Sequence, residues 1–417
     1  MAATIKLGNK DWAAKKDSLL AYNDEDNNFK PLPFDFTRAS SATFVGSDGF
    51  TKTSTTAQPR IDFADNIDGH LLLEPASTNL LLYSEAWDNS TWNKNAGVQV
   101  IANQIASPFG PSAVTADLLK ESNSNQEHWV RSSNITASGQ TFTMSFYAKA
   151  KERTFIKANF LNSGVVSYNV WINLSNGAIT SKNANLTVTT ELTGNGFYRI
   201  TLTAQAVSTT LNLLVALATG DGVNSYAGDG SSGVYVFGAQ VEQSSFPTSY
   251  IPTSGGTVTR AAETCLGSGN SQVINSTEGV LFVEMAALAD GVEGGRISVS
   301  NGTTSQYFSL DYRSASNTLR VVFNVGGTNH IVTNVNTGFS NSELNKIAYR
   351  YKSGQHALYV NGISKLTSTI TNTHSPNTLN EIELQVPNNS SNFYGKIKQL
   401  TVYNTALTDS ELKTLTT

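Results

Sequence analysis

Cysteine is almost absent from this 417-residue sequence, in which Cys265 stands alone. A single cysteine excludes an intramolecular disulfide and a zinc site built from cysteines. Because secreted eukaryotic adhesion domains of this size usually carry disulfides, the sequence indicates a protein that folds in a reducing cytosol, even if it acts elsewhere.

Charge is scarce as well. Charged side chains make up 14% of the sequence, against about 25% in a typical soluble protein. The net charge is −4, and the 28 basic residues are scattered rather than clustered. Because a phosphate backbone is held by clustered lysine and arginine, nucleic acid is excluded as an expected partner.

Long hydrophobic runs are missing. The strongest one, Leu211–Ala218, is too short to span a bilayer and is predicted to be a buried strand. Met1–Lys16 lacks the uninterrupted apolar core of a signal peptide. We therefore expect no membrane insertion.

Catalytic motifs are missing too. The five histidines have no metal-ligand spacing, and there is no phosphate-binding loop or nucleophile elbow. The glycine-rich stretch Gly220–Gly233 is predicted to be a loop between strands. We expect no enzymatic activity and no catalytic residue. The alternative is a sugar-cleaving enzyme with two carboxylates, for which the available residues are Glu127, Asp221, Asp229, Glu242, Glu284 and Asp311.

What the sequence does contain is alternation with a period of two. Apolar and polar residues alternate in Phe142–Ala148, Val170–Leu174 and Tyr198–Leu202, and turn residues such as Ser175–Gly177 separate the runs. Short alternating strands between turns predict an all-β fold of antiparallel sandwiches.

The C-terminal part of the sequence shows the same alternation and similar turn signals. Ile347–Tyr351 alternates, and Asn361-Gly362 is a strong hairpin signal because a type I′ turn needs two residues with positive φ. Thr408–Glu411 is a capping box, which predicts a short final helix.

These patterns divide the chain into three predicted parts. Residues 1–70 form an irregular leader, in which Asp11–Tyr22 is predicted to be helical. Residues 71–255 form a jelly roll and residues 260–417 a second sandwich. The small, polar residues 253–257 are the predicted hinge between them.

Two groups of motifs resemble phage proteins. Phe36–Thr43, Pro59–Asp62 and Leu71–Leu80 resemble the opening of a widespread module of phage structural and fibre proteins, and Gly228–Glu242 with Thr248–Thr253 resembles its end. In that group the module is a jelly roll similar to carbohydrate-binding modules.

Another stretch resembles laminin G-like domains of the concanavalin A lectin superfamily. It comprises Leu358–Gly362, Tyr394–Leu407 and the capped helix, in the expected order. The resemblance implies a sandwich of two curved sheets and assigns no ligand by itself. Some relatives hold calcium, but their carboxylate cluster is not evident here, so no cofactor or metal is expected.

Aromatic residues on polar faces are the candidate carbohydrate-binding residues, because sugar rings stack on flat aromatic side chains. Trp171 alternates with Val170 and Ile172 and lies between Asn169 and Asn173. The other candidates are Trp129 with Arg131, and Tyr226. The alternative for each is packing beneath a loop or against a neighbouring subunit, whereas Trp87 and Trp92 are expected to fill the core.

The expected function is that of a phage virion component, a head or tail fibre or a capsid decoration protein. It would be made in the bacterial cytoplasm, attach to other virion proteins through its leader and contact a host-surface glycan. A homo-oligomer is expected, with a trimer favoured because fibres of this kind are usually trimeric. The alternatives are the glycan-degrading enzyme and an assembly protein that binds no sugar.

Overall fold

The computed structural model describes residues 2–20, 32–137, 139–162, 166–387 and 391–417. Strands account for 52% of the structure and helix for 3%, and the strands pair antiparallel, so the predicted all-β class is confirmed. Within the described residues, no helix has the length and apolar character needed to cross a membrane.

The chain folds into two compact units, each built from separate segments. Unit 1 comprises Met1–Ser41, Ser54–Pro75 and Ala261–Thr417, and unit 2 comprises Ala42–Thr53 and Ala76–Arg260. These bounds differ from the predicted ones, because the described parts of the predicted leader 1–70 are divided between the two units.

The described residues up to Pro75 contain eight strands. They are β1 (Ile5–Gly8), β2 (Ala13–Lys15), β3 (Ser18–Leu20), β4 (Phe34–Thr37), β5 (Ala42–Val45), β6 (Thr51–Ser54), β7 (Ile61–Asp62) and β8 (His70–Leu73).

The helix predicted from Asp11 is wrong over its described residues, which form the hairpin β2–β3. Asp17 turns the chain with φ of 63°. Leu19 then pairs with Phe34 of β4, and both side chains are buried. Pairing with a distant strand thus overrides the local helical spacing. Residues 21 and 22 of the predicted helix lie outside the described residues.

The middle segment forms most of unit 2. Its strands are β9 (Ser77–Asn79), β10 (Asn93–Lys94), β11 (Gln99–Ala106), β12 (Val114–Lys120), β13 (Asn125–Glu127), β14 (Trp129–Arg131), β15 (Ile135–Thr136), β16 (Thr141–Ala150), β17 (Phe155–Asn162), β18 (Val166–Asn173), β19 (Ala178–Lys182), β20 (Thr187–Leu192), β21 (Tyr198–Gln205), β22 (Thr210–Ala218), β23 (Ser225–Ala227), β24 (Gly233–Glu242) and β25 (Val258–Arg260), with a 3-10 turn at Gly194–Gly196.

The last segment completes unit 1. It contains β26 (Thr264–Leu266), β27 (Glu278–Ala287), β28 (Gly295–Ser300), β29 (Gln306–Tyr312), β30 (Thr318–Val325), β31 (Thr328–Asn336), β32 (Asn345–Lys352), β33 (His356–Val360), β34 (Ile363–Ser368), β35 (Glu381–Glu383), β36 (Gly395–Tyr403) and the helix α1 (Asp409–Thr416).

Unit 2 is a sandwich of two main sheets. One has the order β11-β12-β24-β16-β21-β20, and the other has the order β10-β14-β22-β17-β18-β19 with β15 beside β22. Alternate residues of both sheets, such as Phe146 and Ile172, share one buried core. Trp87 and Trp92 lie in this core with their rings stacked 4.3 Å apart, which confirms their predicted packing role.

Unit 1 is built in the same way. A sheet of order β34-β33-β32-β27-β36-β8-β7, with β1 beside β36, shares a core with the sheet β31-β30-β29-β28-β35. The smaller sheet β2-β3-β4-β26 adds Phe34 and Phe36 to that core. Residues of the predicted leader therefore supply strands to unit 1.

The predicted closing elements of unit 1 are confirmed. Asn361 and Gly362 turn the chain between β33 and β34 with φ of 46° and 77°. The Thr408 hydroxyl accepts from the Glu411 amide, and the Glu411 carboxylate accepts from the Thr408 amide. Leu412 of α1 is buried in a small apolar cluster that includes residues of β27, β32 and β33.

Two arginines and two glutamates form a buried ionic cluster in unit 1. Arg38 donates to Glu263 at 2.7 Å, and Arg60 reaches both oxygens of Glu263 at 2.9 and 2.5 Å. Arg60 also pairs with Glu74 at 2.8 Å. All four side chains are at most 3% exposed, so the charged side chains of Arg38, Arg60, Glu74 and Glu263 form part of the interior of this unit.

Candidate functional site

The two candidate tryptophans lie on one row across the outer side of the sheet that contains β18. Trp129 on β14 is opposite Ala216, Ala216 is opposite Lys157, and Lys157 is opposite Trp171. Residues directly opposite each other in paired strands point to the same face. The two tryptophans are three strands apart, or roughly 14 Å at the usual strand spacing.

This face is opposite the core. Val170 and Ile172, which flank Trp171 on β18, are fully buried in the sandwich interior. Trp171 and Trp129 themselves are half-buried. The structure therefore places Trp171 on the outer face, as its alternation with apolar residues predicts.

A second row on the same face is polar. It contains Arg131, Leu214, Asn159 and Asn169, each two residues from its counterpart in the first row. Asn159 is 4% exposed, and its amide donates to Ser167 Oγ at 2.7 Å and to Asn169 Oδ1 at 2.6 Å. We call Trp129, Arg131, Lys157, Asn159, Asn169 and Trp171 the tryptophan face.

The indole nitrogens distinguish this face from the rest of the molecule. Three indoles donate to backbone carbonyl oxygens: Trp12 to Asp68, Trp87 to Ser84 and Trp92 to Tyr83. Neither Trp129 nor Trp171 donates to any residue that the structure describes, although Nε1 of Trp171 is buried. Buried donors in native proteins usually have a partner, so an unpaired one requires an explanation.

Two further polar atoms on the tryptophan face share this property. Oδ1 of Asn159 and Nε of Arg131 are buried and have no hydrogen-bond partner within the described part of the chain. Leaving such an atom unpaired costs about 1–3 kcal/mol. Three buried polar atoms of the tryptophan face, Nε1 of Trp171, Oδ1 of Asn159 and Nε of Arg131, therefore lack a partner among the described residues.

Each tryptophan on this face has a cation beside its ring. The guanidinium carbon of Arg131 lies 5.5 Å from the ring centroid of Trp129, and Lys157 Nζ lies 5.8 Å from that of Trp171. Both distances are within the range of cation–π attraction. Lys157 also has an acidic neighbour, because its Nζ is 3.6 Å from Glu127 Oε1.

The segment after β22 reaches β19 next to Trp171. Oδ1 of Asp221 accepts from Thr180 Oγ1 at 2.8 Å and from Ser181 Oγ at 2.6 Å. These two hydrogen bonds lower the pKa of Asp221. Ser181 is opposite Trp171 in the sheet, so this segment borders the tryptophan face.

Two other predicted candidates, Asn173 and Asn169, lie on β18 with Trp171. Asn173 lies on β18 at the end of the face, and its Oδ1 accepts from the Ser175 amide at 2.9 Å, which closes the turn. Asn169, by contrast, is within the polar row described above.

Tyr226 lies on the short strand β23 and not in an open loop, which corrects the predicted loop over Gly220–Gly233. Its hydroxyl donates to Glu121 at 2.8 Å, and the Arg153 guanidinium lies 5.2 Å from its ring. Burial and the neighbouring Glu121 raise the pKa of Tyr226. These contacts are internal ones, which favour the packing interpretation for this residue.

Lys157 and Asn159 were not among the predicted site residues. The signal for them was present, because Lys157 and Asn159 alternate on β17 with the buried Ile156, Ala158 and Phe160. However, their proximity to the two tryptophans depends on the register between β14, β22, β17 and β18, which the sequence does not show.

The remaining carboxylates considered for catalysis have structural partners. Glu242 accepts from Thr248, Asp229 from Ser232, Glu284 from Lys398 and Asp311 from Arg320. In the described residues, no group of three or more metal-ligating side chains could hold a metal ion.

The solved structures that this chain resembles share little sequence identity with it. No curated protein matches it. Among solved structures, the CBM40 of the Ruminococcus gnavus IT-sialidase bound to α2,3-sialyllactose is 18% identical over 36% of this chain and 94% of that one, with a TM-score of 0.31. Domain 4 of the extracellular arabinanase AbnA from Geobacillus stearothermophilus, in complex with arabinotriose, is 15% identical over 39% and 77%, with a TM-score of 0.30.

Mouse laminin α1 domains LG4-5 are 11% identical over 68% of this chain and 87% of that one, with a TM-score of 0.24. A family model gives a localised match. Residues 284–413, which lie within unit 1, match the concanavalin A-like lectin/glucanases superfamily model of laminin G type. This part of the chain is therefore similar to laminin G-like domains, as its closing hairpin, strand and helix predicted.

Proposed function

We propose that the protein binds carbohydrate through the tryptophan face of unit 2. The observation that carries this proposal is that Trp129 and Trp171 lie on one row outside the core and have no internal partner for their indole nitrogens among the described residues. Flat aromatic rings with polar edges suit sugars, which present C–H faces bordered by hydroxyl groups.

The polar side chains beside the rings support the same ligand. Asn159, Asn169 and Arg131 adjoin the aromatic row, and Oδ1 of Asn159 and Nε of Arg131 have no hydrogen-bond partner among the described residues. Binding sites of this kind combine apolar contact area with a few polar groups that fix the ligand's orientation. Since the two indoles are roughly 14 Å apart, the face suits an oligosaccharide better than a single sugar.

The virion role is a finer part of this proposal. It is supported by the resemblance of the stretches around Arg38, Arg60 and Glu74 to a phage structural module. Because residues 2–20 contribute strands to unit 1, attachment to other virion proteins would use the surface of unit 1. Mass spectrometry of purified particles tests this role, and absence of the chain from particles would contradict it.

The binding experiment starts with a glycan array on the full chain, followed by calorimetric titration of the strongest hit. Trp129→Ala and Trp171→Ala should each weaken binding at least about tenfold, the equivalent of about 1.4 kcal/mol of lost contact. Phe50→Ala is the matched control, because Phe50 is another half-buried ring in unit 2 with a cation, Lys52, 5.6 Å away. An empty array, or equal losses in all three variants, would contradict the proposal.

The glycans of the array also test the alternative that the protein is a glycan-degrading enzyme. If glycans incubated with the protein gained new reducing ends, and if a carboxylate variant such as Glu127→Gln abolished them, the protein would be a glycan-degrading enzyme and not a binding protein alone.

A further inference from the structure

We infer that the preferred carbohydrate is acidic and that Arg131 binds its anionic group. This inference rests on the proposed function of the tryptophan face. It is carried by the contrast between Arg131, which has no acidic partner among the described residues, and the acidic partners of other arginines in the molecule.

Most other arginine side chains are neutralised by a carboxylate. Arg38 and Arg60 pair with Glu263, Arg153 with Glu121, Arg313 and Arg320 with Asp311, and Arg350 with Asp409. Arg131 forms no ion pair and no side-chain hydrogen bond within the described residues, and its Nε is buried. A guanidinium that is always charged and partly removed from water is costly without an acceptor.

The position of Arg131 fits a ligand that stacks on Trp129. The two residues are neighbours on the same side of β14, and the guanidinium carbon is 5.5 Å from the indole centroid. A sugar stacked on this ring would bring its substituents next to the guanidinium. The planar fork of arginine matches carboxylate and other oxyanion groups, which accept two parallel hydrogen bonds.

Neither acidic residue that borders the face is paired with Arg131. Glu127 already accepts from Asn224 at 2.5 Å and lies 3.6 Å from Lys157. Asp221 already accepts from Thr180 and Ser181. The acids therefore have donors, while Arg131 lacks an acceptor among the described residues.

The unpaired atoms also match an acidic sugar in kind. Nε of Arg131 and Nε1 of Trp171 are donors, and Oδ1 of Asn159 is an acceptor. An acidic oligosaccharide offers an anionic acceptor to Arg131 at one end of the face, and its hydroxyl groups can donate to or accept from the polar side chains further along it. A neutral sugar would satisfy Asn159 but would leave the charge of Arg131 uncompensated.

The test is calorimetric titration of the full chain with matched pairs of oligosaccharides. In each pair the same backbone carries or lacks an acid: oligogalacturonide against galactotriose, sialyllactose against lactose, and sulfated against unsulfated N-acetyllactosamine. We expect the acidic member of at least one pair to bind about tenfold or more tightly. Which pair responds identifies a carboxylate or a sulfate as the anion.

Variants then assign the preference to Arg131. Arg131→Gln should lower the affinity for the acidic member more than that for the neutral member, so that the acidic preference is lost, while Arg131→Lys should restore the preference in part. The control is Lys120→Gln, which removes one positive charge from the other sheet of unit 2. A thermal melt of each variant shows that it remains folded.

The outcomes separate the two proposals. If glycans bind but no acidic member is preferred, or if Arg131→Gln weakens neutral and acidic members equally, the inference about Arg131 is overturned and the proposed function stands. If the array and every pair show no binding, the proposed function falls as well.

Discussion

The ionic cluster of unit 1 and the tryptophan face of unit 2 differ in whether their polar side chains have partners within the protein. In the ionic cluster, Arg38, Arg60, Glu74 and Glu263 are almost completely buried and are joined by hydrogen bonds of 2.5–2.9 Å. On the tryptophan face, Arg131 carries the same guanidinium group and has no partner among the described residues.

The difference favours a structural role for the ionic cluster and a binding role for the tryptophan face. Buried charges that are paired with each other belong to the folded interior, where removing one partner leaves the other uncompensated. Polar atoms near the surface that have no partner within the protein pair with water or with a ligand, so they suit the proposed binding role. The predictions below test this division, from the largest expected effect to the smallest.

The largest effect should follow from Glu263→Gln. The substitution replaces the carboxylate that Arg38 and Arg60 share with a neutral amide, while Arg60 keeps Glu74. We therefore expect the free energy of unfolding to fall by about 3–5 kcal/mol. Chemical denaturation followed by circular dichroism measures the change. Asp48→Asn is the control, since Asp48 pairs with Lys52 at the surface, and such pairs contribute at most about 1 kcal/mol. Equal effects of the two substitutions would contradict the role of the ionic cluster.

Acid should affect the two units with opposite sign. Burial lowers the pKa of His356 and His374 in unit 1 from 6.5 to about 4. Their neutral forms therefore stabilise unit 1 fully above pH 6.5, and this stability is lost as the pH falls through about 4. Because the two imidazoles also interact with each other and are partly screened by solvent, we expect a loss on the order of 2–3 kcal/mol for the pair.

In unit 2, burial raises the pKa of Asp117 from 3.8 to about 6. Its protonated form stabilises unit 2 below pH 3.8, and this contribution is lost as the pH rises through about 6. Scanning calorimetry of the full chain between pH 7 and 4 should therefore show the transition of unit 1 moving to lower temperature, while the protonation of Asp117 moves that of unit 2 to higher temperature. His374→Gln should reduce the shift for unit 1. Transitions that move in parallel would argue against this difference.

Trp171→Ala should affect binding more than stability. The side chain is half-buried and makes no side-chain hydrogen bond within the described residues, so we expect the free energy of unfolding to fall by about 1 kcal/mol. Affinity for the glycan should fall about tenfold or more. Denaturation and calorimetric titration of the same preparation measure the two quantities. A large loss of stability without a loss of affinity would make Trp171 a packing residue.

The smallest effect on stability should come from Asn159→Ala. The substitution removes two donated hydrogen bonds but also an unpaired buried oxygen, and Ser167 still donates to Asn169 at 2.8 Å. We therefore expect the free energy of unfolding to change by less than about 1 kcal/mol, while glycan affinity falls. Stability that falls as far as in Glu263→Gln would show that Asn159 belongs to the fold and not to a binding site.

Much of the fold follows from local patterns in the sequence. Period-two alternation located strands such as β16 and β18, the Asn361-Gly362 pair located a hairpin, and the capping box at Thr408 located the helix. These signals depend on neighbouring residues alone. The hairpin at Ala13–Leu20 was missed because its strands are fixed by pairing with β4, and that partner is distant in the sequence.

The candidate site was only partly predictable for the same reason. Trp171 and Trp129 stood out as tryptophans beside polar residues. Lys157 joins them through register across β22 and β17, and no local pattern specifies that register. Tyr226 illustrates the same limit, because its internal partners Glu121 and Arg153 are distant in sequence from it.

The central claim is most directly tested by the indole N–H resonances of the full chain. The sequence contains five tryptophans, and each resonance can be assigned with a tryptophan-to-phenylalanine variant. On titration with the strongest glycan hit, we predict that the signals of Trp129 and Trp171 shift. Those of Trp12, Trp87 and Trp92, whose indoles already donate to backbone carbonyls, should stay in place. Unchanged signals for Trp129 and Trp171 under saturating glycan would contradict the account.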